Sequence, residues 1–200
     1  ALMAIGFRPN AQNLGLEEIG VELTERKFSA VDDDMSTNLE GIWAIGDVTG
    51  QLLLAHVASK QGILCAEAIA KNEIEPIDYV MVPRATYCHP QVASFGFTEA
   101  QARERYENIN IGKFPFQAVG KALGLGDYAG FVKIITDEGG KLLGAHMVGP
   151  EVSELLPELT LAQKNGLTIE QIADNIHAHP TLSETLMEAS EAALGKAIHI

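Results

Sequence analysis

The stretch that most restricts what this chain can fold into is Phe131–Val148. Phe131-Val132-Lys133-Ile134-Ile135-Thr136 and Leu142-Leu143-Gly144-Ala145-His146-Met147-Val148 are two apolar, strand-like runs. Between them stands Asp137-Glu138-Gly139-Gly140, whose residues suit a tight reversal. Runs joined this closely can pair only antiparallel, because a parallel pair needs a crossover of a dozen or more residues. Ala85–Cys88, Val92–Phe97 and Ile109–Phe116 read as further short strands. Helices are predicted over about 98–106, 152–164 and 182–194, with Pro157 bending the second, and a short one follows Thr168. Thr98-Glu99-Ala100-Gln101 and Thr168-Ile169-Glu170-Gln171 carry the capping-box signature. Strands followed by helices, without βαβ alternation, give an α+β fold: an antiparallel sheet with flanking helices.

The first part of the chain has another pattern. Ala1–Ile5 is an apolar run that reads as a buried strand, stopped by Gly6 and Pro9. It opens without Met, so residues are expected upstream. Leu14, Leu16, Ile19 and Val21 make a short amphipathic piece, and Phe28–Val31 a short strand. Ile42–Ile45 is fully apolar, as in a parallel sheet, and ends in Gly46-Asp47. A turn at Thr49-Gly50 and a helix over about 53–71 follow. Ligands of open α/β sheets bind at the carboxyl ends of strands. There Asp47 can accept a hydrogen bond from a sugar-like hydroxyl, and the helix offers unpaired N–H groups. Asp47 can equally be a turn cap, and the residues alone leave both readings open. The polar connection Asn72–Met81, with Pro76 and then Pro83, marks a domain boundary near residue 79.

Charge excludes some classes of function. Lys plus Arg is 14 and Asp plus Glu is 27, a formal charge of 14 − 27 = −13. That opposes binding to nucleic acid, whose phosphates need a basic surface, and to anionic membrane. No apolar run approaches the roughly 18–20 residues of a membrane span. Cys65 and Cys88 form no CxxC motif or disulfide framework, which favours a reducing, cytoplasmic setting. Asp32-Asp33-Asp34 could hold a metal, but adjacent carboxylates on extended backbone alternate faces, which favours a solvated turn. Gly124–Ala129 fits G-x-G-x-x-A as a string. No strand leads into it and a strand follows it, so it reads as a glycine-rich loop rather than a dinucleotide fingerprint.

Chemistry concentrates in Asn175–Thr185. Pro180 disfavours the α region at His179, so His179 is expected outside the following helix. Thr181 then reads as N-cap and Glu184 as the third helical residue. The same spacing lets Glu184 hold the imidazole of His179 as a general base. A zinc site from His177, His179 and Cys88 or His89 would have chemically suitable ligands, but no fourth ligand has recognisable spacing.

Taken in order, Gly6-Phe7-Arg8-Pro9-Asn10, Gly41-Ile42-Trp43-Ala44-Ile45-Gly46-Asp47, Leu54-Ala55-His56 and His177-Ala178-His179-Pro180-Thr181-Leu182-Ser183-Glu184 resemble the flavin-dependent pyridine nucleotide–disulfide oxidoreductases. The likeness covers essentially the whole chain as the C-terminal part of such an enzyme. Leu182-Ser183-Glu184-Thr185 is similar to the branch that oxidises dihydrolipoamide. Glutathione-type reductases carry paired glutamates after His-Pro-Thr, and mercuric reductases end in a cysteine pair that is absent here. The resemblance implies a partial α/β FAD/NAD-binding segment, with residues 1–25 the tail of an NAD-binding domain and 26–78 the end of an FAD-binding domain. Residues 79–200 would be the dimerisation (interface) domain of a homodimer. It implies that Asp47 binds the ribitol chain of FAD, that Leu53, Leu54, Ala55 and His56 line the flavin's pyrimidine edge, and that Gly6 lies near the nicotinamide nucleotide. His179 and Glu184 would form the catalytic pair, with His179 reaching the partner subunit's redox disulfide.

The redox cysteine pair and the first glycine fingerprint of that family are not in these 200 residues. Half of the flavin site is therefore missing, and the fragment alone is expected to be inactive and to bind neither FAD nor NAD tightly. The implied partners are lipoyl domains of 2-oxo acid dehydrogenase or glycine cleavage complexes. Another disulfide reductase of the family, or a non-catalytic dimerisation module, are the alternatives. Val119 and Pro157 depart from what the family leads one to expect.

Overall fold

A computed structural model describes residues 1–199. The chain divides into two compact units, one ending at Tyr79 and the other beginning at Val80.

In the first unit, α1 spans Ala55–Ile69 and buries Val57, Gln61, Leu64 and Cys65. That i, i+4, i+7, i+8 spacing is the stripe of an amphipathic helix. Leu64 and Cys65 join Met35 in a small core, against which Val31, Trp43, Ile74 and Ile77 pack. The strands expected at 1–5, 28–31 and 42–45 do not form. In their place stand isolated antiparallel bridges, Leu23 with Ser29 and Ser36 with Trp43. A strand needs a neighbour to take its N–H and C=O groups. Ala1–Ile5 has no such neighbour among the described residues, and Leu2 is 93 % and Ile5 86 % exposed. The expected amphipathic piece at 14–21 is a series of turns, with Ile19 N–H bonded to Gly15 O and Val21 N–H to Leu16 O. The helix is also shorter than 53–71, because Leu54 is still extended (φ −136°, ψ 132°) and Lys71 is left-handed (φ 60°).

The second unit is the α+β fold that the hairpin required. Its strands are β1 (Arg84–Thr86), β2 (Gln91–Gly96), β3 (Ile109–Pro115), β4 (Phe131–Asp137) and β5 (Leu142–Gly149). They form one sheet in the order β1-β2-β5-β4-β3, antiparallel throughout. Helices α2 (Glu99–Arg105), α3 (Gly120–Leu125), α4 (Val152–Lys164), α5 (Ile169–Ala173) and α6 (Glu184–Ala193) complete it. Strand residues alternate between two faces, and a register shift at Ile135/Thr136 against Leu142–Gly144 changes the phase at the start of β5. Ile134, Leu142, Ala145 and Met147 enter the main core with Leu156, Leu159 and Leu186 of α4 and α6. Ile135 and Leu143 face the other side, where Ala102 of α2 covers them. The capping box at Thr98 forms, and Gln101 Oε1 accepts the Thr98 N–H at 3.0 Å. α4 runs through Pro157 as one element, although the missing N–H leaves Ser153 O without its helical donor. Gly124 and Leu125 belong to α3 rather than to a loop, and left-handed Gly126 (φ 69°) ends that helix.

One glycine sets the position of α6. A Cβ on Gly112 of β3 would stand 1.9 Å from Ala189 O and 2.9 Å from Ala193 Cβ. The strand backbone therefore touches the helix directly, and α6 packs on β3 and β4 through that contact. Gly112→Val must push α6 away and overpack a closed core, at a cost of about 1–3 kcal/mol or more. Urea unfolding is expected to show a clear fall in midpoint, and an unchanged midpoint would mean that the close approach carries no weight.

Candidate functional site

In the second unit the site is built at the start of α6. Ser183 precedes the helix with φ −65° and ψ −21°, and its side chain does not cap it. The expectation that Thr181 is the N-cap is therefore corrected. Thr181 Oγ donates instead to Ala178 O at 2.7 Å and stands 2.7 Å from Ser183 Oγ. The other half of the expected box is present: Thr181 N–H donates to Glu184 Oε2 at 2.9 Å. The second oxygen, Oε1, lies 2.8 Å from His179 Nδ1. A carboxylate only accepts, so Nδ1 carries the proton and Nε2 is the basic nitrogen of a neutral ring. The His179 side chain is 76 % exposed and that of Glu184 19 %. Among the described residues nothing bonds to His179 Nε2. Burial pushes the Glu184 carboxyl up, but the Thr181 N–H and the His179 ring outweigh it and hold it below the usual carboxylate value.

His177, two residues earlier, points the other way. Its side chain is only 3 % exposed, with Nε2 2.8 Å from Glu158 Oε1 on α4. Its Nδ1 is 2.9 Å from Asn175 O. The Glu158 hydrogen bond raises the His177 pKa more than burial lowers it. The two imidazoles of the His-x-His string thus serve separate carboxylates, and no group of three possible metal ligands converges among the described residues. A further pair follows on α6. Buried Glu188 accepts from His199 Nδ1, and its Oε2 lies 3.4 Å from the Ile198 N–H. A cavity of about 210 Å³ lies between the two pairs, with Phe114, Val119 and Met187 in its wall. Val119 is thereby an apolar wall residue beside His179.

In the first unit Gly46–Thr49 is a 3-10 turn. Gly50 N–H bonds to the main-chain oxygen of Asp47 at 3.1 Å, so the exposed carboxylate is not the turn's cap. Among the described residues no hydrogen bond engages that carboxylate. Gly46 (φ 77°) lies so close to α1 that a Cβ would sit 3.4 Å from Ala58 Cβ. Leu53 and Leu54 lead into α1, which has no side-chain cap and makes its first ladder bond from Ala58 N–H to Leu54 O. Asp47, Leu53, Leu54, Ala55 and His56 therefore share one turn and one helix start. Gly6 (φ 93°) is not among them: it lies in the irregular stretch 1–11, with open space where a side chain would be.

Four further residues shape these sites without having been singled out in the sequence. Fully buried Gln61 accepts the Gly46 N–H at 2.7 Å and donates to Tyr79 Oη at 2.9 Å. A lone amide on the stripe of Val57, Leu64 and Cys65 was the available signal. Glu158 and the Glu188–His199 pair had none, since their partners lie 19 and 11 residues away in no recognisable spacing. The free thiols contribute to neither site: Cys65 is buried on α1, where burial and then the Asp34 charge push its pKa up, and Cys88 is exposed after β1. Asp34 Oδ1 accepts from Ser36 N–H at 2.9 Å and Oγ–H at 2.6 Å, a turn-type arrangement.

The depressed Glu184 pKa has a stability consequence. A carboxyl whose folded pKa lies below its unfolded value of about 4.3 stabilises the fold above that pH and stops doing so as pH falls through the folded pKa. Glu184→Gln is expected to be less stable than the parent at pH 7, with the gap narrowing below about pH 4.3. Urea midpoints measured from pH 7 down to about 3 check this, and a gap that widens on acidification would contradict it.

Comparison with known proteins agrees with this architecture. Residues 82–190 match the family described as pyridine nucleotide-disulphide oxidoreductase, dimerisation domain, and residues 1–62 match pyridine nucleotide-disulphide oxidoreductase. Dihydrolipoyl dehydrogenase of Mycobacterium leprae is 54 % identical over 200 residues, covering 99 % of this chain and 43 % of that protein. Dihydrolipoyl dehydrogenase of Corynebacterium glutamicum is 52 % identical over 202 residues, with the same two coverages of 99 % and 43 %. Among solved structures, LpdA from Mycobacterium tuberculosis superposes with a TM-score of 0.90 at 30 % identity, over 96 % of this chain and 42 % of that one. The chain thus spans less than half the length of these relatives. No helix among the described residues is long and apolar enough to cross a membrane. By its sequence matches and its fold, the chain belongs to the pyridine nucleotide-disulphide oxidoreductase family.

Proposed function

We propose that this chain is the C-terminal part of an NAD-dependent flavoenzyme that oxidises dihydrolipoamide to lipoamide as a homodimer. The observation that carries the reading is the His179–Glu184 pair at 2.8 Å, with an exposed ring whose Nε2 is left open. The names of its relatives favour this substrate. A dithiol reacts as thiolate, yet an ordinary thiol has a pKa of about 8.5. An imidazole can take that proton at neutral pH. Nε2 accepts the thiol proton while Glu184 Oε1 holds the other ring N–H, fixes the tautomer and stabilises the imidazolium. The thiolate attacks one sulfur of an enzyme disulfide carried outside these residues by the partner subunit, breaking its S–S bond to give a mixed disulfide and one enzyme thiolate. The second substrate sulfur then displaces the enzyme sulfur from that mixed disulfide, closing the lipoamide ring, passing its proton to a leaving enzyme thiolate and leaving the enzyme pair reduced. The chemistry that FAD would supply, held on this side by Asp47 and the start of α1, is two-electron transfer from the reduced disulfide to NAD⁺.

The residues present fit half of an FAD site. Asp47 offers a carboxylate acceptor to a polyol hydroxyl. The uncapped start of α1 at Leu53–His56 offers N–H donors and the positive end of a helix dipole to a carbonyl-bearing ring edge. Gln61 fixes the turn that presents Asp47. In this reading residues 1–25 and 26–78 end the NAD- and FAD-binding domains, with Gly6 near the nicotinamide, and 79–200 make the dimer. Lipoyl domains of 2-oxo acid dehydrogenase or glycine cleavage complexes deliver the substrate, in the cytoplasm.

In the full-length protein, His179→Gln is expected to lower dihydrolipoamide oxidation by 10²-fold or more while flavin absorbance per subunit stays at parent level. Steady-state turnover close to the parent value would remove His179 from the chemistry. Asp47→Ala is expected to release flavin more readily, read as a lower flavin-to-protein absorbance ratio after gel filtration. An unchanged ratio would remove Asp47 from the cofactor site.

A further inference from the structure

We propose that His177 is a positioning residue of this site: a buried imidazolium, bonded on one side to Asn175 O and on the other to Glu158, that ties the 174–183 connection to α4 and so fixes where His179 stands. The inference rests on the dihydrolipoamide reading above and goes beyond its His179–Glu184 pair.

Hydrogen-bond bookkeeping assigns the protonation. Asn175 O and a Glu158 carboxylate can only accept. Both ring nitrogens of His177 stand within 2.9 Å of such an acceptor, so both carry hydrogen. A neutral ring would leave one nitrogen lone pair facing an oxygen lone pair in a place where the side chain is 3 % exposed. Glu158 supplies the countercharge and is itself 33 % exposed, so the cation is paired without burying its partner completely.

Toward α6 the connection is anchored by Leu182, which enters the main core; the residues before it are exposed. Ile176 is 94 % exposed, and Ala178, His179 and Pro180 are exposed as well. At its far end Thr181 and His179 are bonded to Glu184, and Thr181 Oγ to Ala178 O. At its near end, among the described residues 174–178, His177 is the side chain that reaches inward. Fixing the backbone there fixes the starting point of the two residues that lead to His179. The groups facing this arrangement are Glu158 on α4 and Glu184 on α6, with His199 beyond Glu184.

The test uses the full-length enzyme. His177→Leu keeps the bulk and removes both bonds. Dihydrolipoamide kcat is expected to fall by about 10- to 100-fold with little change in KM, the scale on which roughly ångström misplacement acts. NADH-driven reduction of a quinone dye, which needs flavin but no thiol base, is expected to stay at the parent rate. Glu158→Leu is expected to reproduce this, and the double variant to be no slower than either single one. In the unsubstituted protein, ¹⁵N spectra of labelled histidine are expected to show both His177 nitrogens protonated at pH 7, a readout that needs no variant to fold. The proposal is overturned by one unprotonated His177 nitrogen, by parent-level kcat in His177→Leu, or by equal loss of dye reduction. Parent-level turnover in His179→Gln would instead overturn the dihydrolipoamide reading itself.

Discussion

The geometry of the site hangs on one carboxylate with two oxygens. Glu184 Oε2 takes the Thr181 N–H and Oε1 the His179 ring, at 2.9 and 2.8 Å. The two bonds use different atoms, so capping and orientation do not compete. The first bond closes the loop before α6, and the second aims an imidazole from that closed loop. Each limits the freedom of the other. A carboxylate near the positive end of a helix is also the charge state that the helix favours, which makes α6 itself a contributor to the ionised form that a His–Glu pair requires.

That carboxylate is only as well placed as α6, and α6 is placed by the sheet. Gly112 brings helix backbone against strand backbone, Leu186 and Ala189 seal the contact from the core, and β3 and β4 provide the floor. Catalytic geometry in such an arrangement is inherited from rigid elements rather than from the loop that carries His179. The same logic operates in the first unit at smaller scale. A buried glutamine, not a sheet, fixes the Gly46–Asp47 turn, and a glycine at Gly46 lets that turn lie on α1.

The second unit was legible from the sequence because its signals are local. Asp137–Gly140 between two apolar runs fixed the hairpin, Thr98 with Gln101 fixed the start of α2, and both needed only neighbours a few residues away. His179 and Glu184 were legible for the same reason. The first unit misled at 1–5 and 42–45 because apolarity reports burial, whereas a strand exists only when another strand pairs with it. Thr181 misled because its hydroxyl had a second acceptor, Ala178 O, which the capping signature does not encode. Glu158 was invisible because its bond to His177 joins two elements whose proximity is a product of the fold.

The His177–Glu158 and His179–Glu184 pairs also differ in their electrostatic surroundings. His177 is almost closed to solvent and His179 largely open, at 3 % and 76 % exposure of their side chains. An imidazole held between two acceptors in a closed environment is poor at exchanging its proton, because the neutral ring would leave an acceptor unpaired. One whose second nitrogen faces outward loses and regains a proton with only one bond to protect. Similar residues two positions apart therefore stand in opposite surroundings, one ring bonded at both nitrogens and the other at one. The distinction comes from the number of acceptors each ring faces: each has one glutamate, and His177 has Asn175 O as well.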